Sequence, residues 1–169
     1  MSRGFVREGD QEEPPFIPPR APLPDGVANH VTPRGLRLLH EERAALEARR
    51  SGPFESEEAK RRGWAEIEGR LERLNERVAS ARVAEPPDPA PDEARFGATV
   101  TFVLLGGPQN GQERTFTIVG VDEASVKDGR IAFTAPVARA LLGKRKGEEA
   151  AYALGAGTQR VLVRAVVYS

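Results

Sequence analysis

The sequence predicts an α+β protein in which an antiparallel helical hairpin precedes a β-rich domain that carries one helix. Three observations predict this order: apolar residues recur every three or four positions up to residue 83, prolines crowd residues 84–94, and apolar residues then alternate at every second position. With 169 residues, the chain can form one small domain and a helical appendage, but not two full-sized cores. Large multidomain enzymes are therefore excluded.

The composition excludes further classes of function. The net charge is zero at pH 7 and no dense basic stripe occurs, which argues against sequence-independent binding to naked DNA. The chain has no cysteine, and its two histidines are too few for an ordinary histidine site, so a metal could be held only through carboxylates. We expect neither a metal nor a cofactor. Because no long apolar run and no apolar signal core are present, we expect a cytoplasmic chain that does not span a membrane.

Residues 1–30 are rich in proline and in acidic side chains. Such a composition buries too little apolar surface to offset the entropy of the chain, so we expect a disordered arm. The pair Phe16 and Ile17 within it is either an anchor for a partner or, as the composition favours, a pair of incidental apolar residues.

The hairpin is predicted over residues 31–83. A first helix begins after the N-cap Thr32, with proline at its first position, and runs to Arg50, where a Ser-Gly-Pro sequence stops it. A second helix is predicted from Ser56 to Val83. Apolar residues recur along it with the spacing of a coiled-coil seam, at Trp64, Ile67, Leu71, Leu74, Val78 and Ala81. A connection of about five residues makes the two helices antiparallel, and we expect Trp64 to pack in their seam.

The C-terminal domain is predicted over residues 95–169, after the stiff proline-rich linker of residues 84–94. Four segments have the alternation or the β-branched content of strands: residues 97–103, 114–119, 130–133 and 160–168. Turn signals lie between them at Asn110-Gly111, Asp128-Gly129 and Gly155-Ala156-Gly157. One helix is predicted over residues 136–142.

Four segments in the right succession carry a resemblance to a known family: residues 31–42, 95–101, 118–124 and 136–144. Together they resemble the bacterial Gre transcript-cleavage factors, GreA and GreB, over residues 31–169. The resemblance implies a coiled-coil hairpin followed by an FKBP-like domain. It also implies a transcription elongation regulator whose C-terminal domain docks at the rim of the RNA polymerase secondary channel, while the hairpin points toward the active site.

The same resemblance implies the nature of the partners. We expect a monomer that is not itself an enzyme, that binds RNA polymerase and that meets DNA or RNA only within the transcription complex. The docking residues implied are Asp122, Glu123, Thr134, Ala135, Pro136, Val137 and Arg139. A proline in the first turn of a helix and acids in a turn explain these residue types equally well. Ala135 and Ser125 also depart from the serine and the aspartate usual in the family.

The predicted hairpin tip departs furthest from the family pattern. Gre cleavage factors carry an Asp-Leu-Ser-Glu-Asn-Ala-Glu-Tyr motif there, whose acids help to hold a magnesium ion in the polymerase, and this chain lacks it. The nearest substitutes are Glu55, Glu57 and Glu58. Glu55 and Glu58 have the i, i+3 spacing that puts two carboxylates on one helix face. However, Glu57 and Glu58 each precede an arginine by four positions, which is typical of a solvated helix start.

Three hypotheses about function remain. The first is a regulator that binds the polymerase channel with weak or no stimulation of transcript cleavage, because the tip motif is absent and the hairpin is shorter than in cleavage factors. The second is an active cleavage factor that uses Glu55 and Glu58. The third, a prolyl isomerase or chaperone, rests on fold analogy alone and is disfavoured because the phenylalanines of residues 95–169 fall in strand patterns.

Overall fold

The computed structural model describes residues 13–169, and it confirms the predicted α+β fold. Along the described part of the chain, three helices and seven strands follow one another in the order β1 Asn29–Val31, α1 Pro33–Ser51, α2 Glu57–Ser80, β2 Ala81–Val83, β3 Thr99–Leu105, β4 Glu113–Val119, β5 Arg130–Ala132, α3 Pro136–Leu141, β6 Glu149–Leu154 and β7 Gly157–Val167. A 3-10 turn, Val126–Asp128, lies between β4 and β5. Within residues 13–169, no helix is both long and apolar enough to cross a membrane.

Both hairpin helices begin at the residues that the sequence predicts. The Thr32 hydroxyl accepts a hydrogen bond from the Gly35 amide at 2.9 Å, and the Ser56 hydroxyl accepts one from the Ala59 amide at 3.0 Å. Each N-cap thereby satisfies a backbone donor that the first helical turn leaves free. The predicted turn connects the helices, and residues of both form one apolar cluster, which contains Val31, Leu39, Leu46, Ile67, Leu71 and Leu74.

The second helix ends at Ser80, three residues before the predicted end at Val83. Residues Ala81–Val83 are instead extended as β2 and pair in parallel with β1. The buried side chain of Asn29 explains the change, because its Nδ2 donates to the carbonyl of Arg77 at 3.0 Å and so satisfies an acceptor of the last helical turn. The segment that precedes α1 therefore determines where α2 stops.

Five strands of the C-terminal domain form one sheet in the order β5-β4-β3-β7-β6. β4 and β5 are parallel, and the other neighbours are antiparallel. The central strand β3 alternates between buried and partly exposed residues, as expected where one face of a sheet covers a core. α3 packs on this core through Ala138 and Leu141, which are fully buried.

The sequence predicted four of these strands but missed β6. The segment Glu149–Leu154 is rich in alanine and alternates weakly, and it lies at the edge of the sheet, where β7 pairs with it. The segment is a strand because it pairs with β7 over six residues. Local propensity does not reveal such pairing.

The end of the proline-rich linker is fixed to the last strand. The Tyr168 hydroxyl donates to the carbonyl of Glu93 at 2.6 Å and accepts a hydrogen bond from the Arg95 amide at 2.9 Å. Burial raises the pKa of Tyr168, so the neutral, donating form persists to higher pH than usual. Ala94 is fully buried in the sheet core, so the C-terminal domain begins at the last linker residues.

Candidate functional site

The residues singled out from the sequence fall in three places. Asp122 and Glu123 follow β4, at the junction between the hairpin and the C-terminal domain. Residues 134–139 comprise the two residues before α3 and its first four residues, a segment that we call the entrance to α3. Glu55, Glu57 and Glu58 lie at the tip of the hairpin. The three places differ in how much of each side chain remains available to a partner.

Glu123 is buried, with 6% of its surface exposed, and it points toward the hairpin. Its Oε2 accepts a hydrogen bond from the hydroxyl of Thr32 at 2.5 Å, and its Oε1 accepts one from Nη1 of Arg34 at 3.0 Å. The Thr32 hydroxyl thus has two tasks, because it also caps α1. This carboxylate joins the start of the hairpin to the end of β4.

Asp122 lies between two arginines. Nε of Arg20 donates to Asp122 Oδ1 at 3.0 Å, and Nε of Arg77 lies 3.6 Å from Oδ2, which is an ion pair without a hydrogen bond. The terminal nitrogens of Arg20 donate to both carboxylate oxygens of Glu42 in α1, at 2.9 and 3.0 Å. The hydrogen bond to Glu42 raises the pKa of Arg20, although burial acts in the opposite direction. One guanidinium therefore connects the N-terminal segment, the hairpin and the C-terminal domain.

Two glycines leave room for close contacts between the two halves at this junction. A Cβ atom on Gly120 would lie 2.6 Å from the carbonyl oxygen of His30, and one on Gly35 would lie 2.8 Å from Oε2 of Glu123. The His30 ring also packs against Phe96 and Phe133, with centroids 5.8 and 5.7 Å away. The junction is therefore a packed interface as well as a set of ion pairs.

These contacts differ from the role that the sequence assigned to the two acids. Asp122 and Glu123 were expected to face a partner, but their carboxylates contact the hairpin and the N-terminal segment of the same chain. Sequence reasoning missed Arg20, Arg77, Gly35 and Gly120. Only the glycines left a signal, since a glycine within a helical or strand pattern often marks a close backbone approach.

The entrance to α3 is the more accessible of the two predicted docking elements. Pro136 and Arg139 are exposed, whereas Thr134, Ala135 and Val137 are half-buried, the last two against the sheet core. Ala135 is the N-cap and its side chain makes no capping hydrogen bond, which follows from the absence of the serine hydroxyl usual at this position. The segment offers a small, mixed polar and apolar surface.

At the tip, Glu55, Glu57 and Glu58 are all exposed. Oε1 of Glu58 accepts a hydrogen bond from Nη2 of Arg62 at 2.6 Å, which is one of the two i, i+4 pairs expected from the sequence. Within residues 13–169, no three His, Asp or Glu side chains come together in a way that could hold a metal ion. Glu57 and Glu58 lie in the first turn of α2, but Glu55 precedes the N-cap Ser56 and lies outside the helix, so the expectation that Glu55 and Glu58 share one helix face is wrong. Phe54 packs over Gly63 beside them.

Trp64 lies close to this tip and is not in the seam, where the sequence had placed it. It is 37% exposed, and its indole N–H donates to the carbonyl of Arg50 at 3.1 Å. The guanidinium carbon of Arg50 and Nζ of Lys60 lie 5.6 and 5.0 Å from the ring centroid. Trp64 therefore satisfies a free carbonyl at the end of α1 and holds two cations near the tip.

Comparison with known proteins shows which family this chain is similar to. Residues 88–168 match the family model described as "Transcription elongation factor, GreA/GreB, C-term". A protein named transcription elongation factor GreA from Hyphomonas neptunium is 44% identical over 102 residues, which are 60% of this chain and 63% of that protein. The match thus spans less than two thirds of that relative.

A second relative is matched over more of its length. The protein named transcription elongation factor GreA from Brucella canis is 37% identical over 135 residues, covering 70% of this chain and 83% of that protein. Among solved structures, the GreA/GreB factor from Nitrosomonas europaea is 22% identical, with a TM-score of 0.40 and coverage of 82% of this chain and 98% of that one.

Proposed function

Since this chain belongs to the GreA/GreB family of transcription elongation factors, we propose that it binds RNA polymerase at the rim of the secondary channel and regulates elongation with weak or no stimulation of transcript cleavage. In this proposal the C-terminal domain docks and the hairpin enters the channel. The chain then acts on the polymerase and is not itself an enzyme.

The exposed entrance to α3 supports docking through the C-terminal domain. Pro136 and Arg139 are free to meet a partner, and Thr134, Ala135 and Val137 are held beside them by the core. Residues on a rigid element form a better-defined interface than residues on a loose loop. We assign to Asp122 and Glu123 the task of positioning the hairpin relative to this docking surface, because their carboxylates contact the hairpin side of the chain.

The contacts at the hairpin tip support the second part of the proposal, which is weak or no stimulation of transcript cleavage. A carboxylate that assists a metal must offer its oxygens to the ion, but Oε1 of Glu58 is engaged by Arg62. The tip also carries the cations of Arg50 and Lys60, which lie over the Trp64 ring. The helices are also short. α1 has 19 residues and α2 has 24, so they extend about 28 and 36 Å at 1.5 Å per residue.

Competition for polymerase tests the docking. We expect the chain to displace a GreA cleavage factor from core RNA polymerase at micromolar concentration. Arg139→Glu reverses the charge of an exposed residue of the proposed surface and should weaken competition about tenfold or more, because a charge complementary to the partner becomes one that opposes it. The concentration of this chain that halves GreA-stimulated cleavage measures the strength of competition.

The matched control for this experiment is Arg164→Glu, which makes the same change at an exposed position of β7. It should compete as the unmodified chain does. The docking proposal fails if the unmodified chain does not compete at all, and the assigned surface is wrong if the two variants behave alike.

A stalled elongation complex with labelled RNA tests the tip. We expect little shortening of the RNA when this chain is added, and no change when Glu55 and Glu58 are both replaced by alanine. The alternative, an active cleavage factor, is favoured by the exposure of Glu55 and Glu57. Efficient shortening that disappears in Glu55→Ala/Glu58→Ala would establish this alternative instead.

A further inference from the structure

Residues 13–28, which we call the strap, lie along the hairpin and reach the C-terminal domain. A disordered arm was expected for residues 1–30; the structure instead gives the strap several specific contacts, and residues 1–12 lie outside the described residues. The strap precedes the part of the chain that the family model matches, which begins at residue 88. Its contacts are therefore an observation about this chain itself.

The strap is seated on one face of α2. Gly69, Arg73 and Arg77 are spaced by four residues and so share that face. The Ile17 side chain occupies the space that a Cβ on Gly69 would need. Nη1 of Arg73 donates to the carbonyls of Ile17 and Pro18, at 2.8 Å each, and Arg77 donates to the carbonyl of Ala21.

The proline content that predicted disorder also suits this binding mode. Proline has no backbone N–H and restricts its own φ angle, so an extended proline-rich segment has free carbonyl acceptors and loses less entropy when it is fixed. The arginines of α2 supply donors to those carbonyls. Ile17 supplies the apolar anchor, whereas its neighbour Phe16 is 82% exposed.

Arg20 connects the seated strap to both halves of the molecule. Its guanidinium makes three hydrogen bonds, two to Glu42 of α1 and one to Asp122 after β4, and only 17% of its side chain is exposed. A planar, rigid donor group with two carboxylate partners fixes their relative position more strictly than a flexible ammonium would.

We propose that the glycine-arginine face of α2 is a binding site for the chain's own strap, and that the strap fixes the direction of the hairpin relative to the C-terminal domain. Ile17 anchors the strap on Gly69, and Arg20 joins it to Glu42 and Asp122. Release of the strap removes one restraint on the direction of the hairpin and leaves the Glu123 and Gly120 contacts of the junction as the others, so any partner that binds the strap also changes how firmly the hairpin is held.

Trypsin cleavage after Arg20 measures whether the strap is seated. The protease must bind the Arg20 side chain, which Glu42 and Asp122 hold in the seated strap. We expect cleavage of the Arg20–Ala21 bond to accelerate at least tenfold in Gly69→Gln, whose side chain occupies the place of Ile17. Ala65→Gln, an exposed position of the same helix, should leave the rate unchanged.

Two variants in the strap repeat the test without changing the helix, so that a folding defect in α2 cannot explain the result. Ile17→Ser removes the anchor and should also accelerate cleavage, whereas Phe16→Ser should not. Circular dichroism should report the same helix content in all four variants. Equal cleavage rates in the unmodified chain, Gly69→Gln and Ile17→Ser would overturn the proposal.

Spin labels test the direction of the hairpin. Because the chain has no cysteine, Ser51→Cys and Lys127→Cys give one labelled pair, with one label at the end of α1 and the other in the C-terminal domain. We expect a single narrow distance distribution, which broadens or shifts in Ile17→Ser but not in Phe16→Ser. An unchanged distribution after release of the strap would overturn its role in orientation. These measurements need no polymerase, so their outcome is independent of the competition experiment.

Discussion

Replacing Glu123 by alanine should lower the free energy of unfolding by about 2–3 kcal/mol. Hydrogen bonds to a charged group contribute about 1.5–3 kcal/mol each, and removing one partner of a fully buried pair costs about 3–5 kcal/mol. We expect a loss below the range for a fully buried pair, because Arg34 is 44% exposed and can be hydrated when its partner is lost. Urea denaturation followed by the fluorescence of Trp64, the one tryptophan of the chain, measures the loss in the hairpin.

The matched control is Glu149→Ala, which removes a surface carboxylate paired with Arg160, where both side chains are more than half exposed. It should cost less than about 1 kcal/mol, as exposed ion pairs do. A loss as large as that of Glu123→Ala would mean that burial of the junction is not the reason for the effect.

A substitution at Gly35 tests the position of the Glu123 carboxylate a second time. Gly35→Ala should destabilise the unmodified chain, since its Cβ would lie 2.8 Å from Oε2 of Glu123. In the Glu123→Ala background the obstacle is gone, and alanine should then stabilise α1 by up to about 1 kcal/mol relative to glycine. A change of sign between the two backgrounds is the expected result, and additive effects would contradict the contact.

Replacing Gly120 by alanine should cost about 2–3 kcal/mol and loosen the hairpin from the C-terminal domain. The Cβ would lie 2.6 Å from the carbonyl oxygen of His30, which belongs to the backbone of β1 and cannot move without disturbing its pairing with β2. Overpacking of this kind typically costs about 1–3 kcal/mol, and a backbone obstacle places the cost in the upper part of that range.

Gly52→Ala is the appropriate comparison for Gly120→Ala. Gly52 ends α1, and a Cβ there would lie 3.4 Å from the carbonyl oxygen of Arg49, so alanine fits with little adjustment. It should change the stability by less than about 0.5 kcal/mol, the usual range for a substitution away from special features. Hydrogen exchange at the amides of β1 and β2 should accelerate in Gly120→Ala and remain unchanged in Gly52→Ala.

Both junction variants also bear on the proposed function. The proposal requires the hairpin to point into the channel while α3 meets the rim, so the angle between the two halves matters as much as either surface. Glu123→Ala and Gly120→Ala leave the exposed residues Pro136 and Arg139 intact. Such variants separate the contribution of the docking surface from that of the hairpin direction.

The sequence by itself determined the local features of this protein. The N-caps Thr32 and Ser56, the seam from Ile67 to Leu74 and four of the five C-terminal sheet strands follow from period, capping and turn chemistry. All of these are interactions between residues a few positions apart, or between one face of an element and any apolar surface, so they leave a pattern along the chain.

Only the tertiary structure decided which charged groups meet. Arg20 and Asp122 are 102 positions apart, and Thr32 and Glu123 are 91 apart, and neither pair belongs to a period. For the same reason β6 formed against local propensity, α2 ended at Ser80 where Asn29 caps its last turn, and residues 13–28 lay along a helix face. An ion pair or a close backbone approach depends on how the elements pack in three dimensions. The sequence pattern does not indicate which distant residues this packing brings together.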